Sequence, residues 1–189
     1  MKTAIIIHGM PSKEQYFDLE GSSESNKHWL PWLQKQLIAK GILAQTPEMP
    51  EPYNPDYKKW CSVFERFEID ENTHLIGHSC GAGFIVRWLS ENNIKVGKVV
   101  LVAPWINPNG MEKTKMFDFN IDENLVNKTR GITVFNSTND EKEMQDSVKI
   151  IREKVKNIKI RDFKNYGHFC FRNMKTDAFP ELLEEIIKQ

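Results

Sequence analysis

A serine lies between two glycines in the stretch THLIGHSCGAG, where Gly77, Ser79 and Gly81 occupy alternate positions. An apolar run precedes the serine and a helical pattern of apolar residues follows it, so we predict a strand, a tight turn and a helix. Such a turn holds its central side chain out above the sheet, and the flanking glycines avoid clashes with the strand and the helix. Ser79 is therefore a candidate nucleophile, although it could instead only cap the helix.

A serine hydroxyl reacts weakly unless a base removes its proton, and the base needs an acid to orient it. His168 follows the last predicted strand in NYGHFCF, and Asp140 follows the preceding strand in NSTNDEKE. These positions fit the order serine, acid, histidine at the ends of successive strands, whereas Asp162 is expected inside a strand. Two alternatives stay open: His168 could be an ordinary surface histidine, and Asp140 could form a helix capping box with Glu143.

Attack by a serine on a carbonyl group creates a negatively charged oxygen, which backbone N–H groups can stabilise. One predicted donor is the N–H of Cys80, which directly follows the candidate nucleophile. The other is the N–H of Met10, in the loop after the first strand, where the sequence reads IIIHGMPS. The His8–Gly9 pair in that loop could be a plain turn, but its position relative to Ser79 favours an oxyanion site.

Short β-rich segments alternate with helical patterns along the chain. The predicted strands are Thr3–Ile7, Ile42–Thr46, Thr73–Ile76, Lys98–Ala103, Ile132–Phe135 and Asn157–Phe163, and the predicted helices are Lys27–Lys40, Tyr57–Glu68, Phe84–Glu91, Glu141–Lys156 and Phe179–Lys188. This alternation predicts an α/β fold with a parallel sheet and helices on both faces. Two further segments, Met10–Asn26 and Asn107–Arg130, have no assignment, and both follow the carboxyl ends of strands, where such folds bind ligands.

The bulk composition restricts the classes of protein and of partner. The chain has 189 residues, enough for one domain over residues 1–189, and its 26 basic and 26 acidic residues give a net charge of zero. This balance argues against nucleic-acid and anionic-membrane partners. Apolar runs fall far short of the ~20 residues of a membrane span, and MKTAIIIHG lacks the long apolar region of a signal peptide. Because the three cysteines are widely spaced, we expect a reducing, cytoplasmic environment.

Other residues could suggest different chemistry. His74 and His78 have a spacing that suits a metal on a helix, but on a strand they would be ~13 Å apart. The sequence also lacks a glycine-rich phosphate loop, so we predict neither a metal nor another cofactor. Trp105, which follows the fourth predicted strand, could line an acyl pocket or simply pack in the interior.

The motifs AIIIHG, HWLPWLQKQL, THLIGHSCGAG, VVLVAP, STND and YGHF occur in this order over essentially the whole chain. Together they resemble the small α/β-hydrolases of the retinoblastoma-binding-protein-nine-like serine hydrolase family. The resemblance implies a three-layer fold with a minimal sheet of six parallel strands and no large cap domain. It also implies that Ser79 is the nucleophile, Asp140 the acid and His168 the base. The L-x-C-x-E motif of the human member is absent, so no protein partner follows from the resemblance.

These features predict a serine hydrolase that cleaves small carboxylic esters or related acyl compounds through an acyl-enzyme, without a cofactor. One alternative is a protein-interaction module that kept the fold and a vestigial site. Another is acyl transfer to an acceptor other than water. The segment Asn107–Arg130 is too short and polar for an apolar lid, although Met111, Met116, Phe117 and Phe119 could form one wall, so we expect short acyl chains.

Overall fold

The computed structural model describes residues 1–110 and 112–188. A parallel sheet of six strands runs through its centre in the order β2-β1-β3-β4-β5-β6. The strands are β1 (Thr3–Ile7), β2 (Leu43–Gln45), β3 (Thr73–His78), β4 (Val99–Val102), β5 (Ile132–Ser137) and β6 (Lys159–Phe163). The prediction of a parallel α/β sheet is confirmed, and each predicted strand is present within a few residues of its expected bounds.

Helices connect the strands and cover both faces of the sheet. They are α1 (Lys13–Tyr16), α2 (Leu30–Ala39), α3 (Tyr57–Phe64), α4 (Cys80–Glu91), α5 (Lys142–Lys154), α6 (Phe171–Met174) and α7 (Pro180–Ile187). Short 3₁₀ turns occur at Glu24–Asn26, Lys115–Phe117 and Leu125–Lys128. Helix α2 begins at Leu30 instead of the predicted Lys27. Its first turn contains a proline, which is tolerated there because the N–H groups of the first turn have no acceptor within the helix.

The core consists of two apolar layers separated by the sheet. In β1, Ala4 and Ile6 face a layer formed with α2 and α7, whereas Ile5 and Ile7 face a layer formed with α3, α4 and α5. This division follows from the two-residue period of a strand. It also explains why the four inner strands, β1, β3, β4 and β5, are buried almost throughout, since both faces of the sheet are covered there. The three-layer arrangement predicted from the sequence is confirmed.

The connection between β4 and β5 is the position where a cap could be inserted. Within residues 107–110 and 112–130, the only helical elements are the two 3₁₀ turns at Lys115–Phe117 and Leu125–Lys128, which do not form a cap domain. In the part of the chain that the structure describes, no helix is both long and apolar enough to cross a bilayer. The assignment of residues 1–189 to a single domain stays a prediction.

Candidate active site

Ser79 occupies the turn between β3 and α4, at the carboxyl edge of the sheet. Its backbone has φ 52° and ψ −119°, a conformation that residues other than glycine rarely adopt. Hydrogen bonds hold it there: the Ser79 N–H donates to the Val102 carbonyl at 2.9 Å, and the Ser79 carbonyl accepts from the N–H groups of Ala82, Gly83 and Trp105 at 3.1 Å each. The turn is therefore maintained by its neighbours in the fold.

The two glycines that flank Ser79 allow the strand, the helix and β1 to approach closely. A Cβ atom on Gly77 would lie 2.5 Å from Ala82 Cα, and one on Gly81 would lie 2.4 Å from the His8 carbonyl oxygen. Both contacts are with backbone atoms, which cannot rotate away as a side chain could. The prediction that these glycines are required by close packing is confirmed.

His168 and Asp140 are in direct contact across the loops that follow β6 and β5. His168 Nδ1 lies 3.0 Å from Asp140 Oδ2 and 3.2 Å from Oδ1. The side chain of Asp140 is only 2% exposed and that of His168 is 18% exposed. Asp140 Oδ1 also accepts the Glu141 N–H at 2.8 Å. The carboxylate is thus positioned to hold an Nδ1–H proton and leave Nε2 free to accept one.

The alternative interpretation of Asp140 as a capping residue of α5 differs from what the structure shows. The N-cap of α5 is Glu141, and no side chain forms a capping hydrogen bond there. Glu143 instead accepts a hydrogen bond from Trp105 Nε1 at 3.2 Å.

The loop that carries His168, residues 166–171, is held by polar side chains from the neighbouring elements. We call it the base loop. Asn139 Oδ1 accepts the Gly167 N–H at 3.0 Å, and Asn173 Oδ1 accepts the His168 N–H at 3.3 Å. Ser137, at the end of β5, accepts the Tyr166 N–H at 3.2 Å. Sequence reasoning missed these supporting residues, although Asn139 belongs to the STND motif that contains Asp140.

Ser79 and His168 line one cleft of about 340 Å³. The other lining residues come from the loop after β1, the segment that leads into α2, the end of β3 and the base loop with α6: His8, Gly9, Met10, Pro11, Gln15, Glu24, Lys27, His28, Leu30, His78, Cys170 and Arg172. Most of these residues are polar or charged. The structure therefore brings the candidate nucleophile and base to the same cavity, and Asp140 lies behind His168.

The two predicted oxyanion donors belong to residues beside the cleft that contains Ser79. Met10 lines the cleft, and Gly9 beside it is so near that a Cβ atom there would lie 3.2 Å from Ser79 Cβ. Cys80 is the first residue of α4, so its N–H has no acceptor within the helix. The thiol of Cys80 is fully buried, and burial raises its pKa. This thiol is therefore a poor competing nucleophile.

The side chain of His8 orients the peptide group between Gly9 and Met10, which contains the Met10 N–H. His8 Nε2 accepts the Met49 N–H at 2.9 Å, so the ring proton is on Nδ1, which lies 2.8 Å from the Gly9 carbonyl and donates to it. Burial is the main cause that lowers the pKa of His8, which favours this neutral form. Orientation of the Gly9 carbonyl in turn orients the next N–H, that of Met10.

Trp105 and the segment Asn107–Arg130 do not border the cleft in the described parts of the chain, and this corrects the expectation. Trp105 is 4% exposed and packs against Phe117 with ring centroids 5.1 Å apart. Met116 is fully buried, and Phe117 and Phe119 pack on the layer around α4. Met111 lies outside the described residues. The apolar side chains of this segment complete the core, and the wall of the cleft formed between β1 and α2 comes from residues 10–28.

An ion pair forms part of that wall. Lys27 Nζ lies 2.5 Å from Glu24 Oε1, and the two side chains are 23% and 10% exposed. Glu48 anchors the turn that carries Glu24, because its carboxylate accepts the backbone N–H groups of Glu24 at 3.3 Å and Ser25 at 2.8 Å. Among the described residues, no three histidine, cysteine or acidic side chains are grouped in a way that could hold a metal ion.

The parallel sheet and the turn at Ser79 define an α/β-hydrolase fold. The family described as serine hydrolase matches residues 19–176. The chain therefore belongs to the serine hydrolase family.

YdeN of Bacillus subtilis (strain 168), a protein provisionally named as a hydrolase, is 32% identical over 106 residues. That alignment covers 54% of this chain and 50% of YdeN, so the chain spans about half the length of the curated relative it matches. The crystal structure of the ydeN gene product superimposes with a TM-score of 0.79 at 23% identity, over 98% of this chain and 96% of that one. Est1E of Butyrivibrio proteoclasticus with bound ferulic acid gives 0.65 at 15% identity, over 100% and 90%. These two superpositions support the α/β-hydrolase fold.

Proposed function

We propose that this protein is a hydrolase that cleaves small carboxylic esters or related acyl compounds, with Ser79 as nucleophile, His168 as base and Asp140 as acid. One observation carries the proposal: the strained serine and the histidine of the Asp140–His168 pair line the same cleft. The narrower affiliation with the retinoblastoma-binding-protein-nine-like branch is part of this proposal.

The reaction follows from the positions of the groups. Ser79 Oγ attacks the substrate carbonyl while His168 Nε2 takes the hydroxyl proton, and the N–H groups of Met10 and Cys80 hold the resulting oxyanion. The imidazolium then gives its proton to the leaving alcohol, which leaves an acyl-enzyme. Water attacks this ester, with His168 again accepting a proton and returning it to Ser79. Asp140 stabilises the imidazolium in both halves of the cycle.

The cleft supports a small and polar substrate. Its wall includes the Lys27–Glu24 ion pair and offers few apolar side chains, among them Met10, Pro11 and Leu30. A long acyl chain would bury little apolar surface there and would gain little binding energy. Est1E binds ferulic acid, a carboxylic acid, which supports an acyl substrate for the present chain as well. We also propose a cytoplasmic location and a small-molecule substrate, without a nucleic-acid or membrane partner.

A fluorophosphonate probe tests the proposed nucleophile, because an activated serine attacks its phosphorus, displaces fluoride and becomes covalently labelled. The protein should be labelled, and Ser79→Ala should abolish labelling. Ser62→Ala is the matched control, since Ser62 is an exposed serine on α3 whose hydroxyl donates to the Lys59 carbonyl. A folded wild-type protein that is not labelled would favour the alternative of an interaction module.

A second measurement decides whether water or another molecule accepts the acyl group. Hydrolysis of a p-nitrophenyl ester with an added alcohol or amine should yield the free acid as the main product. A dominant ester or amide product would instead show acyl transfer.

A further inference from the structure

His78 connects the two parts of the site that must act together. It is the residue before Ser79 and is 3% exposed. Its Nε2 lies 2.9 Å from the backbone carbonyl oxygen of His168. A carbonyl oxygen can only accept, so the ring proton is on Nε2 and is donated to the base loop. In the neutral ring, Nδ1 then carries no proton.

The environment of His78 favours this neutral donor. Its ring contacts those of His168, Trp29 and His28, with centroid distances of 4.9, 5.7 and 6.0 Å. The titratable groups that face it are His168, His28 and His8. Burial, and to a smaller extent these neighbours, lower the pKa of His78 well below its usual range. His78 therefore has the properties of a fixed structural donor rather than of a proton carrier.

The other hydrogen bonds of the base loop run to different elements. Asn139, just after β5, accepts the Gly167 N–H, and Asn173 on α6 accepts the His168 N–H. His28 Nδ1 accepts the Phe171 N–H at 3.3 Å. Cys170 Sγ lies 3.5 Å from the same His168 oxygen, but a thiol is a weak donor. In the described chain, the His78 bond is the hydrogen bond that joins the base loop to the turn carrying Ser79.

We propose that His78 is a positioning residue that sets the distance and orientation between Ser79 and His168 through the His168 carbonyl. This role rests on the proposed function. The nucleophile and its base must be held within a fraction of an ångström, and a misplacement of about 1 Å can cost on the order of 100-fold in rate. A direct bond from the residue beside the nucleophile to the backbone of the base supplies that constraint.

Two variants with side chains of similar length distinguish the effect of losing the hydrogen-bond donor from the effect of losing the imidazole ring. His78→Gln can place an amide N–H near the position of Nε2, whereas His78→Met fills similar space without a donor. We expect His78→Met to lower kcat roughly 10- to 100-fold with KM changed less than about threefold. His78→Gln should recover most of the loss. His74→Met is the matched control, because His74 is a second buried histidine on β3, hydrogen-bonded to the Lys98 N–H; it should lower the melting temperature without lowering kcat.

The assay compares kcat and KM for p-nitrophenyl acetate, the rate of fluorophosphonate labelling and the melting temperature. Equal kcat for the Gln and Met variants, with wild-type labelling intact, would overturn the role of His78 while leaving the proposed function standing. An unlabelled and inactive wild-type protein would instead overturn the proposed function.

A measurement on the unmodified protein keeps the proposal testable if His78→Met does not fold. Long-range ¹H–¹⁵N correlation spectra of the imidazole rings should show His78 as the neutral Nε2–H tautomer at neutral pH. A His78 ring with its proton on Nδ1 would overturn the proposal.

Discussion

Asp140→Asn tests the acid of the proposed triad, and the hydrogen bonds around the carboxylate determine its effect. Oδ1 accepts the Glu141 N–H at 2.8 Å, and Oδ2 lies 3.0 Å from His168 Nδ1. The asparagine carbonyl oxygen should keep the Glu141 bond, because that N–H needs an acceptor. The amide NH₂ then replaces Oδ2 and donates to His168 Nδ1. His168 is thereby held with its proton on Nε2, the atom that must accept the Ser79 proton.

We expect this wrong tautomer to lower kcat on the order of 10⁴-fold, as in triads where the acid is replaced by its amide. KM for a short ester should change little, since the side chain of Asp140 is 2% exposed and lies behind His168. Initial rates with p-nitrophenyl acetate measure both constants, and thermal melting confirms that the variant is folded. Asp162→Asn is the control, because Asp162 is an exposed aspartate on β6 that accepts from Asn136 Nδ2. A loss of less than tenfold for Asp140→Asn, or an equal loss for Asp162→Asn, would refute the reasoning.

Three further predictions concern the triad, the substrate and the dependence of stability on pH. Ser79→Ala and His168→Ala should each lower kcat by about 10⁶-fold and their combination little more, because the residues act as a unit; a His168→Ala variant that retains most of its activity would exclude it as the base. Across p-nitrophenyl esters from acetyl to decanoyl, kcat/KM should not rise steeply, and activity should not jump above the solubility limit; either result would instead indicate a mobile lid in Met10–Asn26. Burial, followed by nearby lysines and an arginine, lowers the pKa of His74 to about 4. The unfolded chain takes up this proton near pH 6.5, so stability falls as the pH drops from about 6.5 to about 4, by roughly 1–2 kcal/mol after allowance for solvent screening. Urea unfolding at pH 7 and 4.5 measures this loss, and the free energy of unfolding should fall less in His74→Asn than in the wild type. The asparagine amide oxygen can still accept the Lys98 N–H but takes up no proton. Equal losses in the two proteins would contradict the assignment.

The inner strands could be predicted from the sequence because their apolar runs reflect burial on both faces of the sheet. The predicted boundaries of helices and strands were wrong where tertiary contacts override the local conformational preference of the residues. Helix α4 begins at Cys80 instead of Phe84, although Gly81 and Gly83 are poor helix formers. A Cβ atom on Gly83 would lie 2.1 Å from the Trp105 carbonyl oxygen, so close packing is the reason for a glycine there. Strand β5 likewise continues through two residues typical of turns, because Asn136 pairs with Asp162 on β6.

The sequence placed the candidate nucleophile, base and acid, because each follows the carboxyl end of a strand and those ends meet at one edge of the sheet. It did not show which of the two unassigned segments, Met10–Asn26 or Asn107–Arg130, borders these residues. In Asn107–Arg130, the buried Met116 and Leu125 draw the chain onto the outer face of α4, a contact that depends on the tertiary position of that helix. Residues 10–28 include polar side chains that find partners beside the cleft, the Lys27–Glu24 pair among them. Such a wall has no period of two or 3.6 residues, so no pattern in the sequence reveals it. Since this wall lies next to Ser79, substrate selection should depend on the polar groups of residues 10–28 more than on any apolar lid.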